Sequence, residues 1–230
     1  MKSNLKITIL LDKKSSFLND YTLQLFEELK KRGYFSASLI KDAKEIKKGD
    51  LLFLLGCKAI LSKEQLKLNT HNLVIHPSKL PEGKGGGALV IKILEGKNEV
   101  YITLFEAVEK VDTGNYYFQE PIQFRGHELS DELRHKQAMK VFELIFKFLD
   151  QYPNITPKKQ VGKSSFYPER FPESSELDIN KTIKDQFNLF RVVDNKRYPA
   201  FFYHKGYKYI LHIFKEDKIK NINKNEKIRK

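Results

Sequence analysis

The 230-residue chain has no Trp and a single cysteine, Cys57. One cysteine excludes an intramolecular disulfide, and because it lies in the apolar run at residues 51–57 we predict a buried, unreactive thiol. No apolar stretch approaches the roughly 20 residues that a membrane-spanning helix needs, and residues 1–6 lack the apolar core of a signal peptide. The composition therefore predicts a reduced, cytoplasmic protein that has no membrane partner.

Negative charge is scarce, since 42 Lys and Arg residues outnumber 29 Asp and Glu residues and leave a net charge of +13. The 17 Phe and 11 Tyr residues exclude a disordered chain. A basic protein suits an anionic partner such as nucleic acid, an acidic membrane or a phosphorylated small molecule. Because the lysines are scattered and no known nucleic-acid-binding motif occurs, the charge indicates an anionic substrate and disfavours a plain nucleic-acid-binding protein.

Short apolar runs at residues 6–12, 35–40, 50–55 and 73–75 predict four strands. A helix at residues 17–32, with Ser15 or Ser16 as its N-cap, and a short helix that begins after Ser62 lie between them. Strands that alternate with helices indicate an α/β fold with a largely parallel sheet. Ligands bind beyond the carboxyl ends of such strands, and His76 follows the fourth strand directly.

The next segments predict a short helix at residues 88–94, a hairpin of strands 99–111 and 116–124, and a long helix at 128–149. We therefore expect one domain at residues 1–152. Residues 153–230 are expected to form a small appendage: a proline-containing linker or wrapping loop at 153–175, a helix at 179–191 and a hairpin of strands 200–203 and 207–213. The basic tail from residue 215 is expected to be frayed.

Three features could carry chemistry, and each also has an ordinary structural explanation. His76, between a buried strand and Pro77, is a rigidly placed imidazole that can act as a general base, although a lone histidine is more often structural. Asp112 lies in a turn sequence in which Asp commonly caps its own backbone. The glycine-rich segment at residues 83–87 can bind an anion through exposed amides, or can simply be a flexible loop.

The order and spacing of these features resemble the formyltransferases that use 10-formyltetrahydrofolate. The matching segments are HPSKLP at 76–81, GKG at 83–85, ILEG at 93–96, TLF at 103–105 and VDTG at 111–114. Segments FYPER at 166–170, PES at 172–174 and YPAFF at 198–202 are similar to the carboxyl-terminal part of members that act on amino sugars. The resemblance implies a Rossmann-like formyltransferase domain with 10-formyltetrahydrofolate as co-substrate.

The resemblance also implies roles for individual residues. His76 would shuttle the proton of the attacking amine, and Asp112 would orient its imidazole. The folate pocket would be lined by Ser78, Lys79, Leu80 and Pro81. The substrate would be contacted by Lys84, Gly85, Tyr198 and Phe201, although aromatic residues such as Tyr198 and Phe201 more often pack an appendage onto its main domain.

One departure concerns the amide that donates to the oxyanion in this family. The family's Asn lies two residues before the His, where this chain has Val74. Asn72 shares the same face of the strand but lies about 6.6 Å farther back, at roughly 3.3 Å per residue. We name Asn72 as a candidate third catalytic residue and leave open whether a backbone amide or another donor replaces it.

The acceptor amine is predicted from length and from the YPAFF segment. Members that act on tRNA carry a longer carboxyl-terminal barrel, so we expect a nucleotide-linked amino sugar of surface polysaccharide biosynthesis as substrate. The alternatives are a methionyl-tRNA formyltransferase, and a catalytically silent relative that binds folate or nucleotide without turnover. The resemblance also implies that the chain can form a homodimer.

Overall fold

A computed structural model describes residues 4–12 and 16–216 of the chain. Its strands are β1 (Ile7–Leu10), β2 (Ala37–Ile40), β3 (Gly49–Leu54), β4 (Asn69–His76), β5 (Lys84–Gly85), β6 (Glu99–Glu106), β7 (Tyr116–Gln123), β8 (Phe166–Tyr167), β9 (Ala200–His204) and β10 (Tyr207–Leu211). Its α-helices are α1 (Thr22–Lys31), α2 (Lys63–Leu66), α3 (Ala88–Leu94), α4 (Ser130–Gln151) and α5 (Phe187–Val192).

Six strands form the central sheet in the order β2-β1-β3-β4-β6-β7. The first four are parallel, and β6 and β7 add an antiparallel edge. The predicted α/β fold with a largely parallel sheet is therefore confirmed, as is the hairpin of β9 and β10. The chain order reverses between β1 and β3, so the carboxyl ends of these strands border a crevice in which ligands commonly bind.

The main core lies between the sheet and α4. The helix buries the predicted apolar stripe, which consists of Leu133, Ala138, Val141, Phe142, Ile145 and Phe148. On the sheet side, β3 contributes Leu51 and Phe53, which are fully buried in the same cluster. Among the described helices, none combines the length and apolar composition that a segment crossing a bilayer requires.

A predicted strand and a predicted helix are markedly shorter than expected. The strand predicted to reach residue 111 ends at Glu106, because the Ala107 amide makes the last hydrogen bond to β4 and residues 107–115 then form a loop. The helix predicted at 179–191 is confined to Phe187–Val192. Before it, the Asp178 side chain accepts the Asn180 amide and Thr182 pairs with Asp185, and such local side-chain bonds compete with helical ones.

Residues 153–175 wrap against the main domain, which was one of the two expectations for this segment. The segment supplies β8, which pairs in parallel with β5. Lys158 forms a bridge with Tyr116 at the start of β7. Ser16 caps the segment that leads into α1, as predicted. Ser15 and most of the tail predicted to fray, residues 217–230, lie outside the described residues.

A buried ion pair holds the carboxyl-terminal segment to the beginning of α4. The Arg191 and Glu128 side chains are 1% and 2% exposed, and Arg191 Nη2 lies 3.5 Å from Glu128 Oε2. Arg191 Nη1 also donates to Asn98 Oδ1 at 3.0 Å. Burial alone would raise the pKa of Glu128, but hydrogen bonds from Lys136 and the Arg125 amide lower it to about 2. Breaking such a pair leaves an uncompensated buried charge and typically costs about 3–5 kcal/mol.

Candidate active site

A cleft with two lobes opens at the carboxyl ends of β3 and β4. The first lobe has a volume of about 510 Å³, and its wall includes His76 and Asp112. The second lobe has a volume of about 340 Å³, and its wall includes Arg134, Arg197 and Tyr198. The residues shared by both walls, which form the junction of the lobes, are Ser16, Phe17, Gly56, Cys57, Pro77 and Gln137.

His76 is the last residue of β4 and stands beside this junction. Its ring nitrogen Nε2 lies 2.9 Å from the carbonyl oxygen of Gly83. A carbonyl only accepts, so Nε2 carries the proton, and in the neutral ring Nδ1 is then the basic nitrogen. The Ser78 amide donates to the His76 carbonyl at 2.9 Å and closes a tight turn. The imidazole is therefore held in one tautomer and one place, as a proton acceptor needs to be.

Asp112 is held by its backbone as much as by its side chain. Its φ is 55°, in the left-handed region that Asp tolerates better than most residues. Its Oδ2 accepts the Gly85 amide at 3.2 Å, and Gln160 Nε2 donates to the Asp112 and Gly114 carbonyls at 3.2 and 2.8 Å. A Cβ at Gly114 would lie 1.8 Å from the Glu106 carbonyl oxygen, so only glycine permits this close approach.

His76 and Asp112 both line the first lobe, and both form hydrogen bonds to the same glycine-rich segment. The imidazole binds the carbonyl of Gly83, and the carboxylate binds the amide of Gly85. The glycine-rich segment that the sequence left as an anion site or a flexible loop therefore connects the two residues. In this structure residues 83–85 are the hydrogen-bonded link between Asp112 and His76, and both side chains line the first lobe.

The wall of the first lobe is mostly apolar, with contributions from Leu61, Val74, Phe105, Val108 and Val111. The loop after β3 is fixed because Asp12 accepts the amides of Lys58 and Ala59, both at 2.8 Å. Lys58 and Glu169 add an ion pair at 3.6 Å to the wall. An apolar wall with a few fixed polar groups suits a flat heterocycle.

Cys57 is half-buried at the junction of the lobes, whereas the sequence predicted a buried side chain. Its thiol donates to the Leu10 carbonyl at 2.9 Å. Burial raises the pKa of the Cys57 thiol to about 12, so the group is neutral at physiological pH. A neutral thiol is a poor nucleophile, which is consistent with the unreactive cysteine that was predicted.

The polar wall of the second lobe is built on a buried carboxylate, Asp194. Asp194 Oδ2 lies 2.7 Å from Arg134 Nη1 and 3.0 Å from Arg197 Nε. Burial alone would raise the pKa of Asp194, but the hydrogen bonds from Arg134 and the Lys196 amide lower it to about 2. Asp194 and Tyr198 also exchange backbone hydrogen bonds at 3.1 and 2.9 Å, which places Arg197 and Tyr198 on the same wall.

The predicted site residues separate into two groups. His76, Asp112, Gly85 and Tyr198 lie on the walls of the cleft. Asn72 does not: its Nδ2 donates to the Leu66 carbonyl at 2.8 Å and the side chain is buried, while Val74 lines the first lobe instead.

The segment predicted to bind folate, residues 78–81, lies behind the cleft wall. Ser78 is buried and its carbonyl accepts the Thr103 hydroxyl at 2.6 Å, whereas the Lys79 Nζ lies 4.6 Å from the Tyr101 ring centroid. The carbonyls of Leu80 and Pro81 accept hydrogen bonds from Gln119 and from the Ser165 amide.

Two predicted substrate-binding residues are engaged in packing. Lys84 is buried, with Nζ 5.9 Å from the Phe166 ring centroid. Phe201, on strand β9, is buried, and Lys208 Nζ lies 3.7 Å from its ring centroid. This burial favours packing over contact with a substrate, and the predicted packing of this ring onto the main domain stays a prediction.

Gln137 was missed by the sequence analysis. Among the described residues that line the cleft, it is the single carboxamide, and it lies on both walls. A signal was present, because Leu133, Gln137 and Val141 are spaced by four residues on the apolar stripe of α4, and a polar residue within such a stripe needs an explanation.

Known proteins are similar to this chain in sequence and in structure. A family model described as formyl transferase matches residues 8–147. Methionyl-tRNA formyltransferase from Thermus thermophilus is 27% identical over 149 residues, which make up 64% of this chain and 48% of that relative. The chain thus spans about half the length of the curated relatives it matches.

Solved structures of several other proteins share the fold. HypX from Aquifex aeolicus, in complex with tetrahydrofolic acid, has a TM-score of 0.76 at 22% identity, covering 91% of this chain and 37% of that one. A 4-N formyltransferase from Francisella tularensis has a TM-score of 0.69 at 20% identity, covering 94% of this chain and all of the other, 100%.

Proposed function

Because the chain belongs to the formyl transferase family, we propose that it transfers a formyl group from 10-formyltetrahydrofolate to the amine of a nucleotide-linked amino sugar. The observation that carries the proposal is the cleft in which an apolar lobe, whose wall includes His76, adjoins a cationic lobe. Two adjoining lobes of different character, with a proton acceptor beside their junction, suit a reaction between two different substrates.

The first lobe is proposed to hold the formyl donor. Its apolar wall fits a flat pteridine, and the Asp112 carboxylate supplies an acceptor for that ring's N–H groups. The tetrahydrofolic acid in the similar HypX structure agrees with a folate co-substrate. Residues 78–81, behind the wall, are proposed as positioning residues that hold the turn after His76.

In the proposed reaction the acceptor amine attacks the formyl carbon and forms the new C–N bond. His76 Nδ1 accepts the proton of the amine, and Asp112 stabilises the resulting imidazolium by its charge. When the bond between the formyl carbon and the folate nitrogen breaks, His76 returns the proton to that nitrogen. The products are the formamide and tetrahydrofolate, with no net proton uptake.

The developing oxyanion needs a donor, and the family's Asn is replaced by Val74. We propose that the carboxamide of Gln137 takes this role from the opposite wall of the cleft. Its place at the junction of the two lobes is where the bond between the substrates would form.

An amino-sugar acceptor is supported by the likeness to the Francisella 4-N formyltransferase, which extends over both chains. A methionyl-tRNA acceptor is the second candidate, because the curated relatives carry that name. The third candidate is a protein that binds the substrates without turnover, because Val74 stands where the family has its Asn.

The test is incubation of the protein with 10-formyltetrahydrofolate and a panel of UDP- and dTDP-linked amino sugars, followed by mass spectrometry. We expect one sugar to gain a formyl group, and the His76→Asn variant to form this product far more slowly. Formylation of methionyl-tRNA alone would favour the second candidate. Folate binding without any product would favour the third.

A further inference from the structure

The two lobes differ in the charge of their walls. Among the described residues, the wall of the second lobe contains two guanidinium groups, Arg134 and Arg197, and no carboxylate. The wall of the first lobe contains Asp112 and Glu169 against Lys58. A pocket whose charged wall residues are all cations attracts anions and raises their local concentration.

A single oxygen of the buried Asp194 carboxylate binds both arginines and so keeps them next to each other. The Asp194 oxygen that binds both belongs to a side chain only 8% exposed, whereas the Arg134 and Arg197 side chains are 30% and 36% exposed. Both guanidinium groups thus reach the wall of the second lobe, while the carboxylate that holds them lies beneath it. Each guanidinium carries five N–H donors in a planar fork, and the Asp194 side chain accepts a hydrogen bond from each of the two groups.

We propose that Arg134 and Arg197 form a binding site for the diphosphate group of the acceptor substrate. Planar guanidinium groups match the oxygens of phosphate esters and bind them in a bidentate manner. Two neighbouring guanidiniums suit the two phosphoryl groups of a diphosphate. This inference rests on the proposed function, because it assigns the charged end of the same acceptor.

The helix α4 fixes the distance between this site and the reaction centre. Arg134 and Gln137 are three residues apart on α4, and thus about 4.5 Å apart along the helix axis. A single sugar ring spans such a separation, so a diphosphate at Arg134 would place the amine of its sugar near Gln137 and Pro77. The wall also offers the rings of Phe17 and Tyr198 for packing against the sugar or base.

The test measures binding to the 230-residue protein without folate, so that it does not depend on catalysis. The probes are UDP, inorganic pyrophosphate and uridine in calorimetric titrations. We expect UDP and pyrophosphate to bind and uridine to bind at least tenfold more weakly than UDP. Arg134→Gln and Arg197→Gln should each weaken UDP about tenfold to a hundredfold, the range expected for a charge-assisted hydrogen bond. Arg125→Gln, at an exposed arginine outside the cleft, is the matched control and should change nothing.

A merely structural role for the arginines gives a different result. If they serve only to anchor the turn at residues 194–198, the substitutions lower Tm but leave the affinity for UDP unchanged, which overturns the proposal. Arg134→Lys keeps the positive charge but loses the planar, bidentate donor group of arginine. We therefore expect this variant to fold and to bind UDP with an affinity between those of the wild type and Arg134→Gln. Equal binding of uridine and UDP would also overturn the proposal.

The outcome is separable from that of the proposed function. Arginine-dependent UDP binding with no formylated sugar would support the anion site and contradict the proposed reaction. Formylation of a sugar with an unchanged KM in both arginine variants would support the reaction and overturn the anion site. Arginine-dependent binding of methionyl-tRNA without any binding of UDP or pyrophosphate would overturn the diphosphate assignment in favour of a tRNA acceptor.

Discussion

The two lobes of the cleft are built from different kinds of structure. The first is lined by loops that follow the sheet strands, and its wall is apolar with Asp112 at one side. The second is lined by α4, by the start of α3 and by the turn at residues 194–198, and its wall is cationic. The ends of the sheet strands and the loops after them thus supply His76 and Asp112 for the proposed proton transfer. Helix α4 and the carboxyl-terminal segment supply the two arginines for the proposed recognition, and Gln137 of α4 lies on both walls.

The largest effect is expected from replacing His76, the proposed proton acceptor beside the junction of the two lobes. His76→Asn should lower kcat for formyl transfer about 10⁴-fold, because no other side chain at the described junction is a proton acceptor near neutral pH. Folate and UDP binding should persist. His204→Asn, at an exposed histidine of the hairpin, is the matched control. Transfer at the wild-type rate by His76→Asn would contradict the proposed mechanism.

Removing the charge of the first lobe should have the next largest effect. Asp112→Asn can still accept the Gly85 amide, but it no longer stabilises an imidazolium, so we expect kcat to fall about 10³-fold. Glu109→Gln, in the same loop and paired at the surface with Lys63, should leave kcat unchanged. Steady-state kinetics with saturating folate distinguishes the two variants, and equal rates would exclude a role for the Asp112 charge.

The amide between the lobes allows a rescue experiment. Gln137→Leu should lower kcat about 10²-fold, the cost of losing one oxyanion donor. Adding Val74→Asn places an amide at the position where the family has it, on the same face of β4 as His76, and should restore part of the rate. If Gln137→Leu has wild-type kinetics, the oxyanion donor lies elsewhere.

The smallest effect is expected from replacing Asp194, the buried carboxylate behind the wall of the second lobe, and it concerns stability. The pKa of Asp194 is lowered to about 2 from an ordinary value of 3.8, so its ionised form stabilises the fold above about pH 4, and this contribution is lost as the pH falls towards 2. Asp194→Asn should cost roughly 2–3 kcal/mol of unfolding free energy at pH 7. Urea titrations of both proteins should converge as the pH falls from 4 to 2. A difference that stays constant with pH would mean that the Asp194 charge does not matter.

Much of the first lobe could be predicted from sequence, because its positions follow from local rules. Alternating strands and helices placed His76 at the carboxyl end of a parallel strand, and the VDTG motif marked the loop of Asp112. The error at residues 107–111 has a physical cause: Val108 and Val111 are apolar because they line the cleft, and sequence patterns do not distinguish a cleft wall from a strand.

The second lobe could not be predicted in the same way. Arg134 and Arg197 lie far apart in the sequence, and a buried carboxylate, Asp194, brings them together. For Phe201 the sequence allowed stacking or packing, and only its burial distinguishes the two. Contacts of this kind depend on how the carboxyl-terminal segment docks, which no local pattern encodes.

The hydrogen bonds of Gln160 bear on where the chain can be divided into domains. The boundary predicted at residue 152 separates it from the loop whose Asp112 and Gly114 carbonyls it binds. Glu169 and the β8 strand beside Gly85 lie beyond the same boundary. A protease cut between residues 152 and 160 would leave every strand of the central sheet intact and yet free the loop that carries Asp112. The segment that forms the central sheet is therefore shorter than the segment that holds the candidate active site in place.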